Sequence, residues 1–280
     1  MHSDLIIFNN KLVNAASFGL HVSNRSFKYG DGIFESIRIC SKKPMFLEMH
    51  IERMQHALFM LEIKGNSNLS LENIERQIFR LIHINGISEA RVRITIWREG
   101  KGNYAPEQQD CSFIIEMYEM NTVGYVLNNK GLKIDIYHKY LKPIHPLFSF
   151  KTANSLIYVM AGNYKNQNNL DDVIILNEQK RLCESTSCNL FVVQQGNVIT
   201  PPLSEGPLNG VMRGQVISIL SKSKYNIVER ALEISDLEDA DEVFFTNAVN
   251  GAQYVVGYKE KRYYSNVSRM IQEELNKMNN

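Results

Sequence analysis

Hydrophobic positions in the first part of the chain alternate with polar ones over short runs and recur at helical spacing over longer ones. The apolar run at 5–8 ends at Asn9-Asn10, a dipeptide typical of turns, and predicts a hairpin with residues 11–13. Residues 33–39, IFESIRI, follow a Gly-Asp-Gly break and alternate as a half-buried strand does. Helices are predicted at 47–61 and 70–84, and further strands at 91–97 and 112–117.

The second part of the chain is richer in predicted strands. The segments DDVIILNEQKRLCEST and NLFVVQQGNVITP each have the pattern strand, turn, strand. A polar joint at 120–124 separates the two parts, so we expect an α+β domain at 1–120 and a strand-rich domain at 121–280. Helices are predicted after Lys151 and at 210–223, 235–240 and 266–278, and strands at 133–137 and 242–246.

Charge balance and cysteine content exclude several classes of protein. The chain has 31 Lys and Arg against 30 Asp and Glu, a net charge of +1, so nucleic acid is not an expected partner. Four scattered cysteines suit neither a disulfide framework nor a zinc site, and we expect reduced thiols and no metal. The sequence has no run of about 18 apolar residues and no leader pattern. We therefore expect a cytoplasmic protein without a membrane partner.

Three segments suit the binding of an anion. Arg53 falls within a predicted helix, among apolar residues, where a guanidinium either reaches solvent or meets an anion. Gly210 precedes a predicted helix, whose first N–H groups, on Val211 and Met212, can hold a phosphate. The strand in 244–250, FFTNAVN, runs into small polar residues that offer further N–H groups. Taken singly, each pattern is more typical of ordinary structure than of a binding site.

Two charged residues suit chemistry on a carbonyl compound. Lys151 lies where a loop enters a helix, and partial burial there would favour its neutral, nucleophilic amine. Glu184 ends a predicted strand and precedes small polar residues, which leaves its carboxylate free to pair with a cation in a cleft. On the residues alone, a surface lysine and a solvated glutamate are the commoner outcome.

Six segments of the chain stand in the order and spacing of one known family: KYGDGIFESIRI, HIERMQHAL, FKTANSLIYVMAG, DDVIILNEQKRLCESTSCNLFVV, LNGVMRG and DEVFFTNAV. Through them nearly the whole chain resembles the class IV aminotransferases, fold type IV pyridoxal-phosphate enzymes that include branched-chain and D-amino-acid aminotransferases and 4-amino-4-deoxychorismate lyase. The resemblance implies a two-domain α+β fold, with a smaller N-terminal α/β sandwich and a larger, β-barrel-like C-terminal domain with helices. It also implies a homodimer, with the active site between the domains and against the second subunit, and a small amine or amino-acid substrate.

The resemblance also implies a role for each matching residue. Lys151, placed in the second domain, would hold pyridoxal 5'-phosphate as a Schiff base and move protons during the reaction. Glu184 would pair with the pyridine nitrogen and keep it protonated, and Arg53 would bind the phosphate. The backbone of four residues would complete the phosphate site, and three side chains would contact the substrate. The former are Val211, Met212, Asn247 and Ala248, and the latter are Tyr29, Phe34 and Arg98.

The family member is less sharply indicated than the family. LNGVMRG has Met212 where aminotransferases more usually carry threonine, and REGKGNYAP resembles a glycine-rich loop of the lyase, although it is one residue short and offers Lys101 or Asn103 in place of an arginine. Tyr29 resembles a pocket tyrosine of branched-chain aminotransferases, and Arg98 is a candidate carboxylate ligand in an aminotransferase. The leading hypothesis is the lyase, which releases pyruvate and 4-aminobenzoate. The alternatives are an amino-acid aminotransferase, an inactive relative that binds the cofactor or an amino acid, and a structural protein without a ligand.

Overall fold

The structure is a computed structural model that describes residues 4–278. The described residues form two compact units, one made of 4–124 together with 150–154 and the other of 125–149 and 155–278. Both units combine sheets with helices, so the predicted α+β class is confirmed. No helix in the described part of the chain is both long enough and apolar enough to cross a membrane.

The first unit is built on a six-stranded antiparallel sheet in the order β2-β1-β6-β5-β3-β4. Its buried aliphatic side chains form one core together with those of the helices α2 and α3. The strands are β1 (Leu5–Phe8), β2 (Lys11–Asn14), β3 (Gly32–Cys40), β4 (Lys43–Pro44), β5 (Ala90–Arg98) and β6 (Cys111–Glu119), the helices are α1 (Arg25–Tyr29), α2 (Leu47–Met60) and α3 (Leu71–Asn85), and short 3-10 turns occur at Ala15–Ser17 and Ser67–Leu69.

The helix signals in this unit act as expected, with one omission. Ser70 caps α3 by accepting a hydrogen bond from the N–H of Asn73 at 3.2 Å, and the helix ends at Gly86, whose φ of 64° suits a residue without a Cβ. The helix α1 was not predicted, because five residues are too few to show helical periodicity. Asn24 caps it by accepting from the N–H of Phe27 at 2.9 Å.

The second unit contains a closed ring of six strands, β9-β8-β7-β14-β13-β10. The ring closes where β10 pairs with β9, at Asn189 opposite Glu184. β11 and β12 extend the sheet from β10, and β15 pairs with β14. This ring is the barrel that the resemblance implied.

The elements of the second unit, in chain order, are β7 (Leu132–Lys142), α4 (Leu156–Gln167), β8 (Asp172–Asn177), β9 (Leu182–Ser185), β10 (Asn189–Gln194), β11 (Asn197–Thr200), α5 (Val211–Ser221), β12 (Asn226–Glu229), α6 (Ser235–Asp239), β13 (Glu242–Asn247), β14 (Gly251–Tyr258), β15 (Lys261–Arg262) and α7 (Asn266–Lys277), with 3-10 turns at Pro146–Ser149 and Leu203–Glu205.

Lys151 lies in a segment that groups with the first unit, which differs from a single division of the chain at residue 120. The backbone explains the grouping. The N–H of Phe34 donates to the carbonyl of Lys151 at 2.8 Å, and the N–H of Ala153 donates to the carbonyl of Gly32 at 2.8 Å. Residues 150–154 therefore pair with an edge of β3, a long-range contact that local sequence patterns do not reveal.

The last helix is held by a side chain from a distant strand. Glu242, buried on β13, accepts hydrogen bonds from the N–H groups of Val267 and Ser268 at 2.8 Å and from the Ser268 hydroxyl at 2.6 Å. A carboxylate at this end of a helix also meets the positive end of the helix dipole.

We expect Glu242→Gln to lower the free energy of unfolding by about 2 kcal/mol, because the amide replaces charge-assisted hydrogen bonds with a buried donor. Urea denaturation measures the loss, and Glu260→Gln, at an exposed glutamate, is the matched control. Equal stability of the two variants would contradict the capping role.

Candidate functional site

Lys151 is half-buried on the segment that pairs with β3. Its Nζ lies 4.8 Å from the centre of the ring of Phe34, a residue of β3. The positive charge of Lys151 also helps to lower the pKa of His50 on α2. The first unit therefore brings Lys151, predicted to be catalytic, next to Phe34, predicted to contact the substrate.

Arg53, the predicted phosphate ligand, is paired with a buried glutamate. Its Nε and a terminal nitrogen donate to the two carboxylate oxygens of Glu35 at 2.8 and 2.6 Å, and the Nδ1 of His50 lies 2.7 Å from the same carboxylate. Burial by itself would raise the pKa of Glu35, but the Arg53 guanidinium and the His50 hydrogen bond bring that pKa down to about 2. Burial lowers the pKa of His50, so the imidazole is neutral near pH 7. The pair fixes the direction in which Arg53 points.

Glu184 is buried in the second unit and accepts three hydrogen bonds. Lys142 Nζ and the hydroxyl of Tyr158, at 2.8 Å, both donate to Oε1, while the N–H of Leu208 donates to Oε2 at 2.8 Å. Burial, followed by the nearby Glu184 charge, raises the pKa of Tyr158, which keeps its hydroxyl as a neutral donor. Three donors therefore hold the Glu184 carboxylate in a fixed direction.

The start of α5 has the features of an anion site. Gly210 is its N-cap and offers no side-chain hydrogen bond, while Val211 and Met212, the first two residues of the helix, are buried. A Cβ at Gly210 would lie 2.0 Å from Oδ1 of Asn189, so a larger residue does not fit without displacement. The first N–H groups of a helix lack partners within it, and its dipole favours a negative charge there.

The turn after β13 holds the other two predicted phosphate contacts. Oδ1 of Asn247 accepts from the N–H groups of Val249 and Asn250 at 3.0 and 2.8 Å, which folds the backbone into a tight turn. The hydroxyl of Tyr125 donates to the carbonyl of Ala248 at 3.2 Å. The hydroxyl of Thr246 is buried and has no hydrogen-bond partner. A buried polar atom of this kind marks a place where a polar ligand can bind.

Arg98, the predicted carboxylate ligand, is buried and engaged within the first unit. Its Nε donates to Asp31 at 3.0 Å, and its terminal nitrogens donate to the carbonyls of Glu62 at 2.9 Å and Leu61 at 2.6 Å and to the side chain of Gln109. A substrate carboxylate would have to displace one of these partners. Its role as a substrate ligand stays a prediction, and the contacts show an arginine that ties β5 to the end of α2.

Arg25, which the sequence analysis did not select, organises the loop that contains Tyr104. Its Nε donates to Asp31 at 2.8 Å, and a terminal nitrogen reaches the carbonyls of Gly102 and Asn103 at 3.0 and 2.8 Å. The guanidinium also lies 5.1 Å from the ring centre of Tyr29, which is 5.5 Å from the ring of Tyr104. Tyr29 is thereby held against this loop.

Sequence reasoning missed two polar partners in each unit: Glu35 and His50 beside Arg53 in the first, and Lys142 and Tyr158 beside Glu184 in the second. The HIERM segment contains His50, and its spacing of three from Arg53 is the one signal that pointed to it. Among residues 4–278, no group of three or more His, Cys, Asp or Glu side chains is arranged to hold a metal ion.

Known proteins resemble this chain over most of its length. The sequence profile described as amino-transferase class IV matches residues 32–258. An aminodeoxychorismate lyase of Vibrio harveyi is 27% identical over 238 residues, 84% of this chain and 86% of that protein. A D-alanine aminotransferase of Bacillus licheniformis is 25% identical over 255 residues, 86% of this chain and 84% of that protein. The solved structure of a branched-chain aminotransferase from Thermoproteus uzoniensis with norvaline matches the fold with a TM-score of 0.89 at 21% identity, covering 98% of this chain and 94% of that chain.

We expect Glu35→Gln to lower the free energy of unfolding by about 3 kcal/mol near pH 7, because it leaves the Arg53 guanidinium buried without a counter-ion. Since the folded state depresses the pKa of Glu35 from 4.5 to about 2, its contribution is present above pH 4.5 and is lost as the pH falls toward 2. The difference between wild type and variant therefore shrinks with acidification. Urea titrations at several pH values measure it, with Glu75→Gln, an exposed change on α3, as the control. A difference that does not change with pH would contradict the pairing.

Proposed function

Because the chain belongs to the class IV aminotransferase family, whose members are pyridoxal-phosphate enzymes, we propose that Lys151 carries the cofactor and that the reaction is the lysis of 4-amino-4-deoxychorismate. Membership of the family makes the protein a pyridoxal-phosphate-dependent enzyme. The substrate, the reaction and the residue roles are the proposal. The homodimer, implied by the resemblance, and the cytoplasmic location, expected from the sequence, stay predictions.

The residues of the chain fit the cofactor. A phosphate suits the start of α5, where the first N–H groups of the helix lack partners within it, and the turn at Asn247, next in sequence to Thr246 with its unpartnered hydroxyl. A protonated pyridine nitrogen suits Glu184, a buried carboxylate with three of about four acceptor positions used. The guanidinium of Arg53 supplies a cation for the phosphate, fixed by Glu35.

The cofactor, when bound, supplies an electron sink for the charge that develops on the substrate carbon. Lys151 would provide the amine that holds the cofactor and, when the substrate is bound, would accept the proton from the substrate carbon next to the nitrogen. Glu184 holds the proton on the pyridine nitrogen, because an ionised carboxylate stabilises the cation beside it. In the lyase, the electron pair left by this proton would expel the enolpyruvyl group from the neighbouring ring carbon and make the ring aromatic. The leaving group would take up a proton to give pyruvate.

One observation favours the lyase over an aminotransferase: groups of the protein itself already accept the hydrogen bonds of Arg98. An aminotransferase that used Arg98 to hold the substrate carboxylate would need a guanidinium that is not committed to Asp31, Leu61 and Glu62. The lyase hypothesis assigns no such task to Arg98. It is also supported by the buried Met212 in LNGVMRG, where an aminotransferase more usually has a hydroxyl.

An amino-acid aminotransferase is the second candidate, and the position of Tyr29 favours it. The ring of Tyr29 is held between Arg25 and Tyr104, and Tyr29 resembles a pocket residue of branched-chain aminotransferases. In this reaction Lys151 would return the proton to the cofactor, water would release the product as a 2-oxo acid, and the amino group would stay on the cofactor.

We expect the cofactor-loaded protein to release pyruvate and 4-aminobenzoate in equal amounts from 4-amino-4-deoxychorismate. Coupled lactate dehydrogenase measures pyruvate, and fluorescence measures 4-aminobenzoate. Formation of 2-oxo acids from L-leucine, L-glutamate or D-alanine, without release of pyruvate from the chorismate derivative, would contradict the lyase and support the aminotransferase.

We expect Lys151→Ala to abolish the visible absorption band that pyridoxal phosphate gives with the wild type and to reduce activity at least about 1000-fold, because the covalent bond and the proton acceptor are both lost. Circular dichroism checks that the variant is folded, and Lys130→Ala, an exposed change, should retain the band. Turnover by Lys151→Ala at the wild-type rate would contradict the assignment.

A further inference from the structure

Lys142 is a buried ammonium next to the carboxylate of Glu184. The lysine side chain is 0% exposed and that of the glutamate 4% exposed. Lys142 sits at the end of β7, and its Nζ also lies 3.4 Å from the carbonyl of Phe148 and 5.5 Å from the centre of the Tyr158 ring. Nothing in the sequence analysis or in the proposed reaction assigns this lysine a task.

An isolated buried ammonium is costly, and lysine is seldom retained in the interior without a partner that needs it. Among residues 4–278, Glu184 is the one carboxylate paired with Lys142. The other donors to Glu184, the Tyr158 hydroxyl and the Leu208 N–H, are both neutral. Lys142 is therefore the cation that balances the Glu184 charge within the described part of the second unit.

We infer that Lys142 is a positioning residue that keeps Glu184 ionised and fixes the direction of its carboxylate before any cofactor binds. This inference rests on the proposed role of Glu184 toward the pyridine nitrogen. A neutral carboxylic acid would present a proton to that nitrogen in place of a negative charge, so the state of Glu184 decides whether the charged pair forms. Lys142 and Tyr158 both donate to Oε1 of Glu184. The other oxygen, Oε2, accepts one hydrogen bond, from the N–H of Leu208, and can accept another.

The titratable groups around Glu184 are few. Lys142 comes from β7, Tyr158 from α4 and the Cys183 thiol from β9, and burial raises the pKa values of both Tyr158 and Cys183 well above neutrality. The charge of Glu205 also raises the pKa of Cys183, and Glu205 is itself paired with Arg181. The Tyr158 hydroxyl and the Cys183 thiol are therefore both neutral near pH 7, and Lys142 is the cation paired with Glu184.

The test compares the thermal unfolding of the cofactor-free wild type, Lys142→Met and the double variant Lys142→Met/Glu184→Gln by scanning calorimetry. We expect Lys142→Met to lower the midpoint by about 8 °C near pH 8, where the carboxylate is buried without a counter-ion, and by less than half as much near pH 5.5, where it takes up a proton. The double variant has no charge to neutralise, so its midpoint should recover by several degrees at pH 8 and differ from wild type equally at both pH values. Lys139→Met, an exposed change on the same strand, is the control.

A loss in Lys142→Met that is the same at both pH values, or a double variant no more stable than the single one, would overturn the inference and leave Lys142 a packing residue. If Lys142→Met does not fold, a folded double variant supports the inference, and a double variant that also fails to fold overturns it. The proposed function fails separately, if the wild type gives no visible absorption band with pyridoxal phosphate. That result would leave the calorimetric comparison unaffected.

Discussion

The second unit has a buried carboxylate, on Glu184, whose negative charge must be balanced by a cation and by hydrogen-bond donors from several elements. Glu184 is 3% exposed, and a charge so deeply buried is stable only if it is paired and hydrogen-bonded. The partners come from β7, from α4 and from the segment before α5, through Lys142, Tyr158 and the N–H of Leu208. The backbone of Glu184 also pairs with Asn189 where the ring of strands closes. Closure of the barrel and preparation of the candidate site therefore depend on the same residue.

The first unit also pairs carboxylates with cations, at Asp31 and Glu35. Asp31 binds both Arg25 and Arg98, and Glu35, on the strand that pairs with the Lys151 segment, binds Arg53 and His50. Each arginine is thereby held in one direction by a carboxylate. The rigid placement of charged groups is what a polar cofactor requires of its protein.

The sequence predicted elements well where the determining signal is local. The Asn9-Asn10 turn, the capped helix from Ser70 to Gly86 and the alternating strand after Gly32 all appear in the structure. The five-residue helix α1 lacks periodicity, and the pairing of 150–154 with β3 joins segments more than 100 residues apart, so neither left a local pattern. The partners of Glu184 were missed for the same reason, since Lys142 lies 42 positions away along the chain. Lys151, Glu184 and Arg53 were selected through the order of six motifs, and composition gave no hint of them.

The central claim is that Lys151, and no other lysine, forms the covalent bond to pyridoxal phosphate. Reduction of the loaded protein with borohydride, followed by proteolysis and mass spectrometry, tests it directly, because reduction makes the bond permanent. The account predicts a single phosphopyridoxyl group per chain, on the peptide that contains Lys151. Labelling of another lysine, such as the buried Lys142, or a reduced protein without any label would contradict it.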